Sequence, residues 1–297
     1  MTEVFAIDLG GTRCKSAVVE VPGWRTHDEW NWEVRGERTG PMALKVALER
    51  AEKMISSHGC TSAALCVPGL VDERGVIVSL PGKLEGIVGL DLPAEFESAT
   101  GLRAIVLNDA VAYGVGETVA GAAKGAGSAV VVTIGTGVGV CVVRDGRPVG
   151  RGMLAGGILG GQIPVSGSSF TDTSGRTGTI EADCLADRIV DQANLHGGTF
   201  ATVVDVYRAA AEGDGVAVSG IDAYRRALAR GLVALAHAHT PDVIVLGGGP
   251  MTRDNPVFTG LQELLDESLW PGYRAEVRSA SLGDKAALIG LAHLVAG

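Results

Sequence analysis

Two carboxylates and two glycine-rich turns in this 297-residue chain are of the types and spacing suited to holding a phosphate chain and moving a proton. In Asp8-Leu9-Gly10-Gly11-Thr12 a carboxylate ends an apolar, β-branched run beside a turn with two glycines. Glycines let backbone N–H groups approach phosphate oxygens, and the Thr12 hydroxyl adds a donor. Asp8 could hold Mg²⁺ through water, because Mg²⁺ keeps much of its hydration shell. Taken alone, the segment reads equally well as an ordinary hairpin turn. Thr133-Ile134-Gly135-Thr136-Gly137-Val138-Gly139 repeats the chemistry about 125 residues on, a duplication on the scale of a domain. Neither turn is a strand–GxxxxGK[ST]–helix or a GxGxxG between strand and helix. Two such hairpins, one in each half of the chain, suggest a nucleotide clamped across a cleft. The second carboxylate, Asp109, follows a short apolar run and opens a small-residue helix. Phosphoryl transfer needs a carboxylate near the nucleophilic hydroxyl, and a strand end meeting a helix start would present one. The competing reading is a helix N-cap.

The elements that must position these groups follow from hydrophobic period. Strands are expected over 4–8 and 15–21, with Trp24, Trp30 and Trp32 on a continuing antiparallel meander, where packing is favoured over carbohydrate stacking. Apolar positions from Met42 to Ile55 have helical spacing over 41–57. Further strands are expected at 63–67, 104–107, 129–134, 138–143 and 243–246. Helices are expected at 93–100, from 109 towards 119, and at 180–195, 201–212 and 219–239.

A chain of this length holds one large or two medium domains. Its net charge of −9 argues against a general nucleic-acid or anionic-membrane surface. No basic segment leads into a long apolar run at the N-terminus, and no stretch approaches 18 uninterrupted apolar residues, so a cytoplasmic protein is expected. Cys14, Cys60, Cys66, Cys141 and Cys184 are scattered and odd in number, which suits buried free thiols.

Six segments in order resemble the ROK family of the actin-like sugar kinase superfamily. DLGGT at 8–12 and VTIGTGVGV at 132–140 resemble its two phosphate motifs, and Pro68-Gly69-Leu70-Val71-Asp72 its PGxVD turn. Asn108-Asp109-Ala110 is similar to its NDA, and Gly178-Thr179-Ile180-Glu181-Ala182 to its GCLEA. Residues 241–249 resemble its adenosine-binding strand, ending in Gly247, Gly248 and Gly249. The resemblance implies two α/β lobes of the RNase H-like, actin-like type, with the active site in the cleft between them. The first lobe would span 1–108, completed by a C-terminal helix at 284–297, and the second 109–283. It implies ATP and Mg²⁺ on Asp8, Gly10, Gly11, Thr12, Thr133, Gly135, Thr136 and Gly137; Lys15 is a further candidate for phosphate charge, with an ordinary surface lysine as the equal alternative. It also implies Asp109 as the base that takes a proton from a sugar's 6-hydroxyl, sugar contacts from Asn108, Glu181 and the Gly69 turn, and a homodimer.

Departures from the family pattern are as informative. Where zinc-binding members carry three cysteines and a histidine, this chain has Asp172, Ser174, Thr179 and Gln162, so no zinc site is expected. His237 and His239 form an H-x-H pair but fall on a helix. The family's glutamate and histidine that contact the sugar are absent. Ser79 stands for its asparagine in Ser79-Leu80-Pro81-Gly82-Lys83, leaving Ser79 and Gln162 as rewritten contacts. A buried polar contact exchanged for another can shift discrimination by orders of magnitude. The acceptor is therefore expected to be glucose or an amino-hexose such as kanosamine, with a sugar-like cyclitol as an alternative. The competing classes are a sugar-sensing repressor, which would carry a helix-turn-helix before the first motif, and a non-catalytic sugar-binding regulator. Another phosphotransferase of the superfamily is the alternative within enzymes.

Overall fold

The computed structural model describes residues 2–34, 39–80, 82, 84–150, 152–249, 251 and 254–296. The chain divides into two compact units, residues 1–125 with 146–158 and 282–297, and residues 126–145 with 159–281.

In the first unit β1 (Thr2–Leu9), β2 (Arg13–Val21) and β3 (Arg25–Glu33) form an antiparallel meander. β4 (Ser62–Val67) and β7 (Ile105–Asn108) extend it in parallel, giving the order β3-β2-β1-β4-β7. A hairpin of β5 (Leu70–Val71) and β6 (Ile77–Ser79) lies between them in sequence. The residues of β1 alternate between two cores, which is why it reads as a continuous apolar run. Phe5, Ile7 and Leu9 pack with Ala43, Ala47, Ala51 and Met54 of α1 (Thr39–His58). Val4 and Ala6 pack on the other face with Ala287, Leu288 and Leu291 of the C-terminal helix Ala286–Ala296. Trp30 and Trp32 stack with ring centroids 6.3 Å apart, and the Arg50 guanidinium lies over Trp30. They thus pack, as the sequence favours.

α2 (Leu92–Thr100) precedes β7, and α3 (Asp109–Val119) follows it at once. The sequence expects α3 in the second lobe, yet it belongs to the first unit. Glycines explain the difference. A Cβ on Gly116 would collide with the Ala286 carbonyl, and one on Gly290 with the Ala112 carbonyl, so α3 and the C-terminal helix meet backbone to backbone.

In the second unit β8 (Ser128–Ile134) and β9 (Val138–Arg144) form the second hairpin. Strand Val243–Gly247 pairs in parallel with β8, and Glu276–Ser279 pairs in parallel with that strand. Three helices follow the hairpin in sequence: α4 (Ile180–Cys184), α5 (Arg188–Leu195) and α6 (Val203–Ala211). The 25-residue α7 (Gly215–His239) buries Tyr224, Leu228, Leu232 and Leu235 in the core that also holds Val130, Val132, Ile244 and Leu246. The helix expected over 180–195 is broken at Leu185, whose backbone is extended at φ −50° and ψ 148°. The break lets the Ala186 N–H donate to Gly135 O, so the interruption serves the hairpin turn. All five cysteines are buried and free. No helix among the described residues is long and apolar enough to cross a membrane.

Gly290→Ala should lower unfolding stability by about 1–3 kcal/mol, since the intruding methyl meets backbone that cannot rotate away. Urea denaturation measures this, and an unchanged midpoint would show that the two helices can part without cost.

Candidate active site

In the first unit the parallel register Asp8↔Cys66 and Cys66↔Leu107 brings the ends of β1, β4 and β7 level. Asp8 and Asp109 therefore emerge at the same edge, with one strand between them. Both are half-buried. Burial is the main cause that raises the Asp8 carboxyl to about 6, and the charge of Asp109 adds to it. Lys15, opposite Asp8 in the β1–β2 register, and a hydrogen bond from Cys66 Sγ at 3.5 Å act the other way. The Cys66 thiol is itself pushed well up, first by burial and then by Asp8 and Asp109, so it stays a donor. Sequence reading treats Cys66 only as a buried thiol, and no spacing signal could have assigned it to this edge. Lys15 Nζ is bound to Asp284 at 2.7 Å.

Asp109 and its neighbour share the capping of α3, and Asp109 Oδ1 accepts from Ala110 N at 2.8 Å. Asn108 is the N-cap of α3, its Oδ1 accepting from Ala110 N at 2.9 Å and Val111 N at 3.3 Å. Its amide donates to Gly69 O at 2.8 Å. Gly69 has a left-handed φ of 84°, and a Cβ there would strike Ser79 O. Asn108, Gly69 and Ser79 are thus brought together, joining the Pro68-Gly69 turn to the start of α3. Pro81 and Lys83 of the Ser79 segment lie outside the described residues. At the β1–β2 turn the Thr12 carbonyl accepts from Val34 N, and a Cβ on Gly10 would meet the Arg13 carbonyl. Gly11 and Thr12 complete that turn, where Gly11 is half-buried and Thr12 exposed.

In the second unit the turn Gly135-Thr136-Gly137 is closed by Gly135 N donating to Gly137 O at 3.0 Å, with Thr133 at the end of β8. Gly248, at φ 103°, packs so closely on Ile134 that a Cβ would strike its carbonyl oxygen. The glycines 247–249 thereby lie against the base of the 135–137 turn. Glu181, buried in α4, accepts Val138 N at 2.9 Å on Oε2, and Thr173 N and Oγ1 at 3.0 and 2.6 Å on Oε1. Its carboxylate therefore ties the phosphate-type hairpin to the 172–176 turn.

Of the four positions aligned with the family's zinc ligands, Asp172, Ser174 and Thr179 bond to one another. Asp172 Oδ1 accepts from Ser174 N, Ser174 Oγ and Arg176 N, and Oδ2 from Thr179 Oγ1 at 3.0 Å. Burial works to raise the Asp172 carboxyl, but these donors outweigh it and leave it below its usual range. Gln162 Oε1 is buried with no hydrogen-bond partner among the described residues. Unsatisfied buried acceptors cost about 1–3 kcal/mol, so this one is suited to an incoming donor.

A cavity of about 830 Å³ opens beside Gly249, lined among others by Ala186, Val203, Tyr207, Ile221 and Asn255. Tyr207 Oη accepts from Asn255 Nδ2 at 2.8 Å, and burial raises its hydroxyl to about 12. Sequence reading found the glycine rim of this cavity but not its walls, which come from α6, α7 and the 254–259 segment. These residues read as ordinary amphipathic positions. His237 and His239, in the last turn of α7, are spoken for in part: His237 Nε2 accepts from Trp270 N.

The raised Asp8 carboxyl has a consequence for stability. A carboxyl with a folded value of about 6 against 3.8 favours folding most below pH 3.8, and that contribution is lost as pH rises through 6. Asp8→Asn should therefore be stabilising relative to the parent at pH 7.5, with the gap narrowing towards pH 4. Parallel urea titrations across that range test this; a gap independent of pH would refute it.

Residues 4–297 match the ROK family. The chain is 29% identical to a glucokinase of Halalkalibacterium halodurans over 97% of its length and 93% of that protein's. It is 25% identical to a kanosamine kinase of Amycolatopsis mediterranei, covering 98% of this chain and 96% of the other. Among solved structures, the ROK hexokinase of Thermus thermophilus superposes with a TM-score of 0.85 at 28% identity, covering 99% of this chain and 98% of that one. With nearly the whole sequence matched, and both Gly/Thr hairpins in place, the chain belongs to the ROK family.

Proposed function

We propose that this ROK-family sugar kinase transfers the γ-phosphoryl group of ATP to the primary (6-) hydroxyl of a hexose or amino-hexose, with Asp109 as general base. The observation that carries the reading is the meeting of two carboxylates at one sheet edge. Asp109 opens α3 at the end of β7, one strand away from Asp8 at the end of β1; Asn108 is the N-cap of that helix, and Asp109 Oδ1 accepts from Ala110 N at 2.8 Å. In the proposed step Asp109 accepts the proton of the sugar hydroxyl as its oxygen bonds to the γ-phosphorus. The bond from phosphorus to the β–γ bridging oxygen breaks, and ADP leaves.

Mg²⁺ fits Asp8. A carboxyl whose proton affinity is raised by burial and by the nearby charge of Asp109 gains from a cation, which Asp8 would hold through water. When bound, the ion supplies charge neutralisation on the triphosphate. The backbone N–H groups of 10–12, 136 and 137, with the hydroxyls of Thr12 and Thr136, would donate to phosphate oxygens. The cavity beside Gly249 has the apolar walls and few polar groups that an adenosine requires. Lys15 is committed to Asp284, so its part would be to restrain the charge of Asp8 rather than to grip phosphate.

For the acceptor, Gln162 is the informative residue. Its orphaned Oε1 accepts only, which suits a sugar hydroxyl or an amine. The relative named kanosamine kinase supports an amino-hexose reading, and the glucokinase supports plain glucose. Asn108 retains one amide hydrogen and Glu181 Oε2 one lone pair for a sugar, and Ser79 borders the same turn.

Asp109→Asn should lower kcat about 10²–10⁴-fold with sugar affinity nearly unchanged, read by coupled ADP release. Turnover surviving that change would remove the base assignment. Gln162→Leu should cost about 10-fold or more in kcat/KM for the true acceptor while leaving the melting temperature within a few degrees. A comparison of glucose with 2-amino and 3-amino analogues decides the acceptor class; a clear preference for glucose rules out the amino-hexose.

A further inference from the structure

We infer that Glu3, His27 and His58 form a binding site for one divalent transition-metal ion of the zinc class, remote from the proposed chemistry. One ligand atom from each of the three lies within 4.8 Å of the others. They come from three elements of the first unit: the start of β1, the middle of β3 and the last residue of α1. The β-registers explain the meeting. Phe5 and His27 both lie opposite Val18, and Glu3 sits two residues before Phe5, so its side chain shares that face of the sheet. This face is the one α1 covers, and α1 ends there at His58.

Two observations point to an ion rather than to a chance cluster. His27 Nε2 is buried and has no hydrogen-bond partner among the described residues, although Glu3 Oε1 is 3.2 Å away. A cation at that place would take both the ring lone pair and the carboxylate. His58 is bonded through Nε2 to the Asp28 carboxylate, the arrangement that orients a ligating histidine and leaves Nδ1 for the metal. Two imidazoles and one carboxylate, with a fourth place for water, are a donor set of zinc type. Tetrahedral Zn²⁺ needs donors about 3.3 Å apart, which small rotamer changes supply. Glu20 lies opposite Glu3 and is itself only 3.8 Å from Arg25. Arg50 approaches from α1, but donates to the Asp28 carbonyl. Cys60 is buried close by, its thiol raised to about 11 by burial and then by Glu3. With Glu3, Asp28 and Glu20 against Arg25 and Arg50, the surroundings carry an excess of one negative charge before an ion binds.

Glu3 is five residues from Asp8 along β1, about 17 Å at the rise of a strand. The ion would therefore act as a staple between the end of α1 and the sheet, without contact with substrate. The test uses the whole chelator-treated protein titrated with Zn²⁺ by calorimetry and with Co²⁺ by visible absorption. The expected result is one saturable equivalent, a tetrahedral Co²⁺ spectrum and a Zn²⁺-dependent rise in melting temperature. His27→Ala and His58→Ala should each abolish all three, Asp28→Asn should weaken binding about 10–100-fold, and metal-free kinase activity should stay within about two-fold. Glu3→Gln, near-isosteric at a partly exposed strand start, keeps the fold and should also lose the cobalt spectrum. Absence of saturable binding, or binding that survives undiminished in the folded histidine variants, overturns the site.

Discussion

Two like charges held at one sheet edge are the constraint to which the first unit answers. Asp8 and Asp109 repel, and the protein around Asp8 deprives it of water, so its proton affinity rises. The neighbouring groups each relieve part of that cost. The Cys66 thiol donates to Asp8, Lys15 supplies a positive charge across the hairpin, and the Ala110 N–H at the start of α3 donates to Asp109. Parallel pairing of β1, β4 and β7 keeps the arrangement level, and the apolar layers on both faces keep the strands from shifting register.

The second unit solves a different problem, the close approach of one backbone segment to another. Gly248 can lie against Ile134 only because it lacks a Cβ, and Leu185 leaves the helix so that Ala186 can bond Gly135. Glu181 accepts three donors from two separate turns. The carboxylate of Asp172 likewise gathers backbone and hydroxyl donors within the 172–179 segment.

Much of this was legible beforehand, for identifiable reasons. Strands such as Val4–Asp8 and Ala129–Ile134 are buried on both faces, so their apolar runs are unbroken. The glycine turns and Asn108-Asp109 stand out because few other residues tolerate those conformations or caps. What stayed hidden depends on distant partners. Nothing local marks Leu185 as a break, Thr173 as a partner of Glu181, or Cys66 as a donor to Asp8. The unit boundary was misplaced because the packing of α3 is decided by Gly290, far along the chain. The histidines at 27 and 58 escaped notice for the same reason, since only register and helix length bring them together.

The helix Ala286–Ala296 also sets a timetable. It fills one face of the first unit's sheet, but the ribosome makes it only after every residue of the second unit. Until then Val4, Ala6, Ala17 and Ala64 lack Ala287, Leu288 and Leu291 as cover, and the nascent chain carries a partly unsealed apolar face through most of its synthesis. The first unit, begun earliest, would be among the last parts to close, and a ribosome stalled before residue 286 would leave a natural client for holding chaperones.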